Sequence, residues 1–234
     1  MDITGAVVLV TGANRGIGAE FVRILLERGA AKVYAAARQP EQIDDAERVV
    51  PIRLDVTDPE QAAAAAAIAG DVQIIINNAG IATPQPALGG DLAAMRNEFD
   101  VNFFGPLNVA RAFAPVLAAN GGGAILNSLS AVSWVSFPGF PAYSASKAAA
   151  WSLTDALRLE LAEQGTQVVG LHMGPVDTEM GAQFPLDRVS TDQVVNAALD
   201  GIQGGVHEVL ADDLSSTIKS TLTADPGRYS TILG

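Results

Sequence analysis

Ala6-Val7-Val8-Leu9-Val10-Thr11-Gly12-Ala13-Asn14-Arg15-Gly16-Ile17-Gly18 is the stretch whose reading decides the fold. Ala6–Thr11 is a short apolar run with the composition of a buried strand. It runs into a turn with glycines at 12, 16 and 18, and then into an amphipathic stretch from about Gly16 to Arg28. Strand, glycines and helix start come in the order that a phosphate-binding turn requires. Gly12 permits the tight turn, Gly16 lets backbone approach a pyrophosphate, and Gly18 lets the helix pack close to the strand. The helix N-terminus offers free N–H groups and the positive end of its dipole to an anion. The spacing is G-x-x-x-G-x-G, and taken alone it also fits a purely structural strand-to-helix turn.

The next strand, Lys32–Ala37, bears on which dinucleotide would fit. A site for NAD places an acidic residue about 20 positions after the glycines, where it holds the ribose 2′-OH. Here the strand ends Ala35-Ala36-Ala37-Arg38, with no carboxylate. Arg38 is cationic and planar, suited to a 2′-phosphate. Arg15, inside the turn, supplies a second cation. Either arginine alone reads equally well as a solvated surface charge. Together, with the acidic residue missing, they point to NADP(H).

Further along, strand-like and helix-like segments alternate. Val49–Leu54, Val72–Asn77, Ala124–Leu129, Gln167–His172 and Glu208–Ala211 read as strands. Pro59–Ala69, Leu92–Ala119, Tyr143–Gln164 and Thr191–Ile202 read as helices, the second of them in two sections around Gly105 and Pro106. Apolar strands separated by helices predict a doubly wound parallel sheet, a Rossmann-type α/β fold in three layers. Nothing resembling a linker interrupts it. A single domain over residues 1–234 is expected, with cofactor binding mainly in 1–125 and the catalytic and substrate segments mainly in 126–234. After the last strand, Leu214–Leu222 forms a helix-like tail.

The chain has 234 residues and a formal charge of −12. That balance argues against nucleic acid or an anionic membrane as a main partner. There is no cysteine, which removes disulfides and thiolate metal sites. No leader is visible after Met1, and no apolar run reaches the roughly 18 residues of a membrane span. The expectation is a cytoplasmic protein.

Tyr143-Ser144-Ala145-Ser146-Lys147 opens the long helix. Residues four apart share one helix face. A phenol with an ordinary pKa near 10 is a poor acid or base at neutral pH, and a neighbouring ammonium favours its phenolate. The same spacing also suits a plain surface pair. Ser130 lies 13 residues before Tyr143, at the C-terminal end of a strand, where ligands bind in parallel sheets. Ser128 and Ser133 are close enough to compete for that role.

These residues resemble the short-chain dehydrogenase/reductase family, in its short single-domain branch, and in particular its NADP(H)-dependent carbonyl reductases. Thr11-Gly12 through Gly18 resembles the family's cofactor turn, which brings in Asn14 and Ile17 as contacts. Asn77-Asn78-Ala79-Gly80 resembles the signature after the fourth strand, Asp55-Val56 the pair that touches adenine, and Val101-Asn102 the segment carrying a catalytic Asn. The resemblance implies that Tyr143 exchanges a proton with the substrate oxygen. Lys147 would lower the Tyr143 pKa and hold the nicotinamide ribose, and Ser130 would orient the substrate oxygen. Asn102 would hold a water that links Lys147 to solvent. It implies no metal, which leaves His172 and His207 as structural residues.

In the family a Pro-Gly pair follows the sixth strand, and then a Thr that binds the carboxamide. This chain has Met173-Gly174-Pro175-Val176-Asp177-Thr178, so Gly174, Val176 and Thr178 fit and Met173 replaces the usual Pro. The segment from Glu179 to about Val189 is expected to cover the substrate. Met180, Phe184, Pro185 and Leu186 there, and Trp134, Val135, Phe137 and Phe140 opposite, suggest an apolar pocket for a ketone or aldehyde. Some of these aromatics fit core or dimer contacts equally well. The resemblance also implies a homodimer, with a tetramer as the alternative. It would be built on the two longest helices, with Trp151, Leu153 and Leu157 contributing. Two other activities stay open: a regulator that binds NADP(H) without turnover, and a reductase of C=C or C=N bonds. The complete Asn102, Ser130, Tyr143, Lys147 set argues against the first, and the Tyr-Lys spacing against enoyl reduction.

Overall fold

A computed structural model describes residues 1–44 and 46–223. Seven strands form one parallel sheet: β1 (Val7–Thr11), β2 (Lys32–Ala37), β3 (Val49–Arg53), β4 (Ile74–Asn77), β5 (Gly123–Ser128), β6 (Thr166–His172) and β7 (Glu208–Leu210). Their spatial order is β3-β2-β1-β4-β5-β6-β7, so the direction of winding reverses between β1 and β4. Ligands of such sheets bind in the crevice at that reversal, beyond the C-terminal strand ends. The doubly wound fold read from the sequence is the observed one.

Successive side chains of a strand point to opposite faces of the sheet, and here both faces are buried. Val8, Val10, Ile74, Ile76, Ala124 and Leu126 join one core, with Phe21, Ile24 and Leu25 of α1 (Gly16–Glu27) and Val194, Ala198 and Leu199 of α6 (Thr191–Gln203). Leu9, Ile75 and Ile125 join the other. They meet Ala62 and Ala65 of α2 (Pro59–Ile68), Phe113 and Leu117 of α4 (Gly105–Ala119), and Leu157 of α5 (Pro141–Glu160). The alanine run of α2 therefore lets a helix lie close to the sheet. Pro51 is tolerated in β3 because that strand is the sheet edge.

The expected helix Leu92–Ala119 is three pieces. α3 (Leu92–Phe99) passes through a π-helical turn, Asp100–Phe104, into α4. The break starts before Gly105, earlier than expected. Pro106 has no N–H to give the carbonyl of Asn102, so regular α-helical bonding fails there. Gly105 fits the close approach that follows, because a Cβ at that position would lie 2.8 Å from Cγ2 of Val56. α5 starts two residues before Tyr143, with Pro141 in its first turn, and ends at Glu160 rather than Gln164. Leu157 is part of the core and Leu153 packs against it, so the sheet takes two side chains expected at an oligomer surface.

Phe113 is fully buried against the sheet, whereas Leu159 on α5 is 80% exposed. Phe113→Ala is expected to cost about 3–5 kcal/mol and Leu159→Ala less than about 0.5 kcal/mol. Urea denaturation of both variants checks this order.

Candidate active site

The crevice is held together at the reversal point by one side chain from each strand end. Thr11 Oγ accepts hydrogen bonds from the backbone N–H of Asn78 (3.0 Å) and Ala79 (3.1 Å). The Asn78 amide returns bonds to the carbonyls of Thr11 (3.0 Å) and Gly12 (3.3 Å). Gly12 and Gly16 adopt φ of +65° and +54°, where a side chain is strained. A Cβ on Gly18 would sit 2.1 Å from the Gly12 carbonyl oxygen, so the first turn of α1 lies against the turn that precedes it. Close packing at this turn therefore leaves no space for side chains at Gly12 and Gly18. Asn78 braces it from behind, and Asn14 bonds Gln42 (2.9 Å) at its outer edge.

Arg15 and Arg38 are both exposed beside the cradle. Arg15 pairs with Glu179, at the start of the segment that covers the site. Among the described residues Arg38 has no acidic partner, and its carbonyl accepts from Arg53 (2.9 Å). Asp55 sits at the far end of the crevice, its carboxylate fixed by the backbone and hydroxyl of Thr57. Val56, next to it, is buried.

The π-helical turn aims Asn102 inward. Its amide donates to the Ile81 carbonyl (2.9 Å) and to Ser146 Oγ (3.0 Å), and its oxygen accepts from Ile81 N–H (2.9 Å). That pins the loop after β4. Gly80 lies where a Cβ would meet Asn102 Oδ1 at 3.2 Å and Lys147 Nζ at 3.5 Å, so the three converge. Lys147 is buried and donates to the carbonyl of Ser128 (2.7 Å), which leaves the Ser128 hydroxyl out of the contact.

Ser130 caps a 3-10 turn, Ala131–Ser133. Its backbone N–H reaches the hydroxyl of Ser133, which accounts for that serine. Ser130 Oγ contacts the carbonyl of Met173 (3.3 Å). The backbone of Met173 therefore locks the turn, while its side chain lines the cavity in front of it. Burial pushes the Tyr143 phenol up to about 12, while a hydrogen bond with Ser130 pulls it the other way. Burial also pushes the Lys147 ammonium down to about 8. Lys147 Nζ stands 5.8 Å from the Tyr143 ring centroid. In the protein alone Tyr143 is thus a protonated phenol, because burial outweighs the hydrogen bond with Ser130.

In front of these groups lies a cavity of about 80 Å³. Ile17, Ser130, Val132, Phe137, Tyr143, Gly174, Val176, Thr178, Met180 and Phe184 line it, with Leu214 and Ile218 from the C-terminal helix. Phe137, Met180 and Phe184, expected beside the substrate, are among the residues that line it. Phe140 stands behind, stacked on Phe184 with centroids 4.4 Å apart. Trp134 is outside the lining. It stacks on His172 at 3.9 Å, so it packs the back of the site. His172 is fully buried, contacts the Ser130 carbonyl through Nδ1 (3.1 Å), and is pushed down to about 4 by burial, so it is neutral. His207 is exposed. The segment after Thr178 closes over the cavity because its ends are tied, Asp177 N–H to Val189 O at 2.8 Å and Val189 N–H to Pro175 O at 3.0 Å.

Sequence reasoning missed Leu214 and Ile218, whose only signal was their helical spacing in the tail. It also missed Glu98. This carboxyl is fully buried on α3, one turn before Asn102; one oxygen accepts from Thr83 N–H (2.6 Å) and the other has no partner among the described residues.

A family model for short chain dehydrogenases matches residues 6–188, and the chain belongs to that family. It is 44% identical to a short chain dehydrogenase from Burkholderia cenocepacia, solved in complex with NADP; the TM-score is 0.94, covering 100% of this chain and 99% of that one. It is 31% identical to an NADPH-bound carbonyl reductase from chicken fatty liver, with a TM-score of 0.76 over 85% of this chain and 91% of that one. A short-chain dehydrogenase from Penicillium crustosum is 37% identical over 180 residues, 73% of this chain and 66% of the relative's length.

Burial raises the Glu98 pKa. Above the unfolded value of about 4.3 the folded protein holds a proton that the unfolded chain releases, so this group costs stability as pH rises through that window. Glu98→Gln keeps the acceptor for Thr83. It should gain stability relative to the parent between about pH 4 and neutrality, as followed by urea denaturation. A difference independent of pH would refute this.

Proposed function

We propose that this protein is an NADP(H)-dependent oxidoreductase that interconverts an apolar ketone or aldehyde and its alcohol. The observation that carries the reading is the apolar cavity whose polar groups include the hydroxyls of Tyr143 and Ser130, with the buried ammonium of Lys147 behind them. The cradle of Gly12, Gly16 and Gly18 fits a pyrophosphate, and Asp55 and Val56 would hold the adenine. Ala79 and Gly80 at the end of β4, and Gly174, Val176 and Thr178 after β6, would hold the nicotinamide end. Arg38, with Arg15 beside it, would take the 2′-phosphate. The cofactor supplies or accepts the hydride.

The chain's own groups handle the proton. Ser130 holds the substrate oxygen and keeps it against Tyr143. As a phenol at neutral pH, Tyr143 donates its proton to that oxygen during reduction. In the reverse direction it must first lose that proton, so alcohol oxidation is favoured at higher pH. Lys147, carried on the same helix face, holds the ribose and supplies a positive charge beside the phenol. Asn102 keeps the loop at Ile81 in place, so that Gly80 and Lys147 stay in register. The aromatic and apolar walls exclude water and offer no cation to a carboxylate substrate. A second copy of the chain is a natural partner for the remaining apolar surface of α4 and α5.

Tyr143→Phe should reduce carbonyl-dependent NADPH oxidation about 100-fold or more while NADPH still binds. Arg38→Ala should weaken NADPH about 10- to 100-fold and leave NADH nearly unchanged, since only the 2′-phosphate contact is lost. Nicotinamide fluorescence titration reads both. Full activity of Tyr143→Phe, or equal losses for the two cofactors, would sink the corresponding part of this reading.

A further inference from the structure

We propose that the C-terminal helix α7 (Asp213–Ser220) is the wall that sets substrate size, with Leu214 and Ile218 as specificity-determining residues. The proposal rests on the apolar-carbonyl reading above and names what limits it. Leu214 and Ile218 are four apart, so they share the face of α7 that meets the cavity. Ile218 is fully buried and belongs to one apolar cluster with Val132, Phe137 and Tyr143, so it backs the wall that Leu214 completes.

The helix is docked at both ends. Asp212, its N-cap, is buried; one carboxylate oxygen accepts from Ser215 N–H (2.7 Å) and the other from Gly174 N–H (2.6 Å). A single carboxylate thus joins α7 to the segment after β6. Gly174 explains itself here, because a Cβ on it would stand 3.0 Å from Cδ2 of Leu214. At the other end Lys219 pairs with Glu208 of β7 and lies 5.3 Å over the ring of Trp134. Its charge is engaged outside the cavity. The helix therefore presents hydrocarbon to the substrate, which suits a neutral ketone or secondary alcohol with an alkyl or ring substituent on that side. Leu214 and Ile218 are among the residues lining the cavity, so removing atoms from α7 is the direct way to admit a larger group.

The test compares the parent with Leu214→Ala, Leu214→Met and Ile218→Val. Two readouts are taken. One is kcat/KM for a series of methyl ketones with increasingly branched alkyl groups. The other is calorimetric affinity of the NADP-saturated protein for unreactive apolar ligands, benzene and indole. Removing methylenes from a pocket wall changes selectivity about tenfold or more. Leu214→Ala should shift the ratio of bulky to small ketone by that factor and tighten indole, and Leu214→Met should stay near the parent. If Leu214→Ala does not fold, Ile218→Val carries the same readout with one methyl removed. Unchanged ratios and unchanged affinities in variants that bind NADPH normally would overturn the wall. If no ketone reacts but indole affinity follows the size of residue 214, the wall stands and the carbonyl reading falls. If no apolar ligand binds any variant, both fall.

Discussion

The hydrogen bonds from the end of β4 to Thr11 are the constraint on which the rest of the structure depends. They close the gap where the sheet reverses its winding, and the crevice takes its shape from them. Thr11 Oγ satisfies two backbone N–H groups of the β4 loop, and Asn78 satisfies two carbonyls of the Gly-rich turn. Without these partners the two loops would lose four hydrogen bonds between side chain and backbone, each worth about 0.5–1.5 kcal/mol. The glycines are a consequence. Because the two loops are drawn together, a Cβ on Gly12 would come within 3.0 Å of the Ala79 backbone, and one on Gly18 would overlap the Gly12 carbonyl.

Burial then decides the electrostatics of the site. Tyr143 and Lys147 are both largely buried, and burial drives each toward its neutral form. A protonated phenol and a weakened ammonium, side by side, suit proton donation to a carbonyl oxygen. Glu98 fits the same pattern: a carboxyl taken out of water within a turn of Asn102, with one oxygen unpaired. His172 is neutral for the same reason and acts as packing beneath Ser130, stacked on Trp134. The packing that buries these groups also sets their protonation states.

Much of the site was legible from local chemistry. The glycine turn could be read because a strand, a φ > 0 turn and a helix start are all local events. Tyr143 and Lys147 could be paired because a helix fixes which residues share a face. The choice among Ser128, Ser130 and Ser133 was not legible. It depends on Met173 and Lys147, which arrive from other elements: the Met173 carbonyl meets Ser130 Oγ and Lys147 takes the Ser128 carbonyl, while Ser133 bonds the Ser130 N–H within the same turn. The aromatic residues were recognised as a group, yet their assignment divided. Phe137 and Phe184 face the cavity, Phe140 stacks behind, and Trp134 turns away to His172.

By itself the sequence determined the alternation of strands and helices, the parallel sheet, the Gly-rich turn and the Tyr-Lys pair. Each of these follows from periodicity, glycine conformational freedom or helical spacing, which act over a few residues. Tertiary structure decided the π-helical turn that aims Asn102, the burial that sets the proton affinities of Tyr143 and Lys147, and the docking of α7 beside Gly174. These depend on segments far apart in the chain meeting at atomic distances. Desolvation and close approach exist only once the packing that causes them has formed.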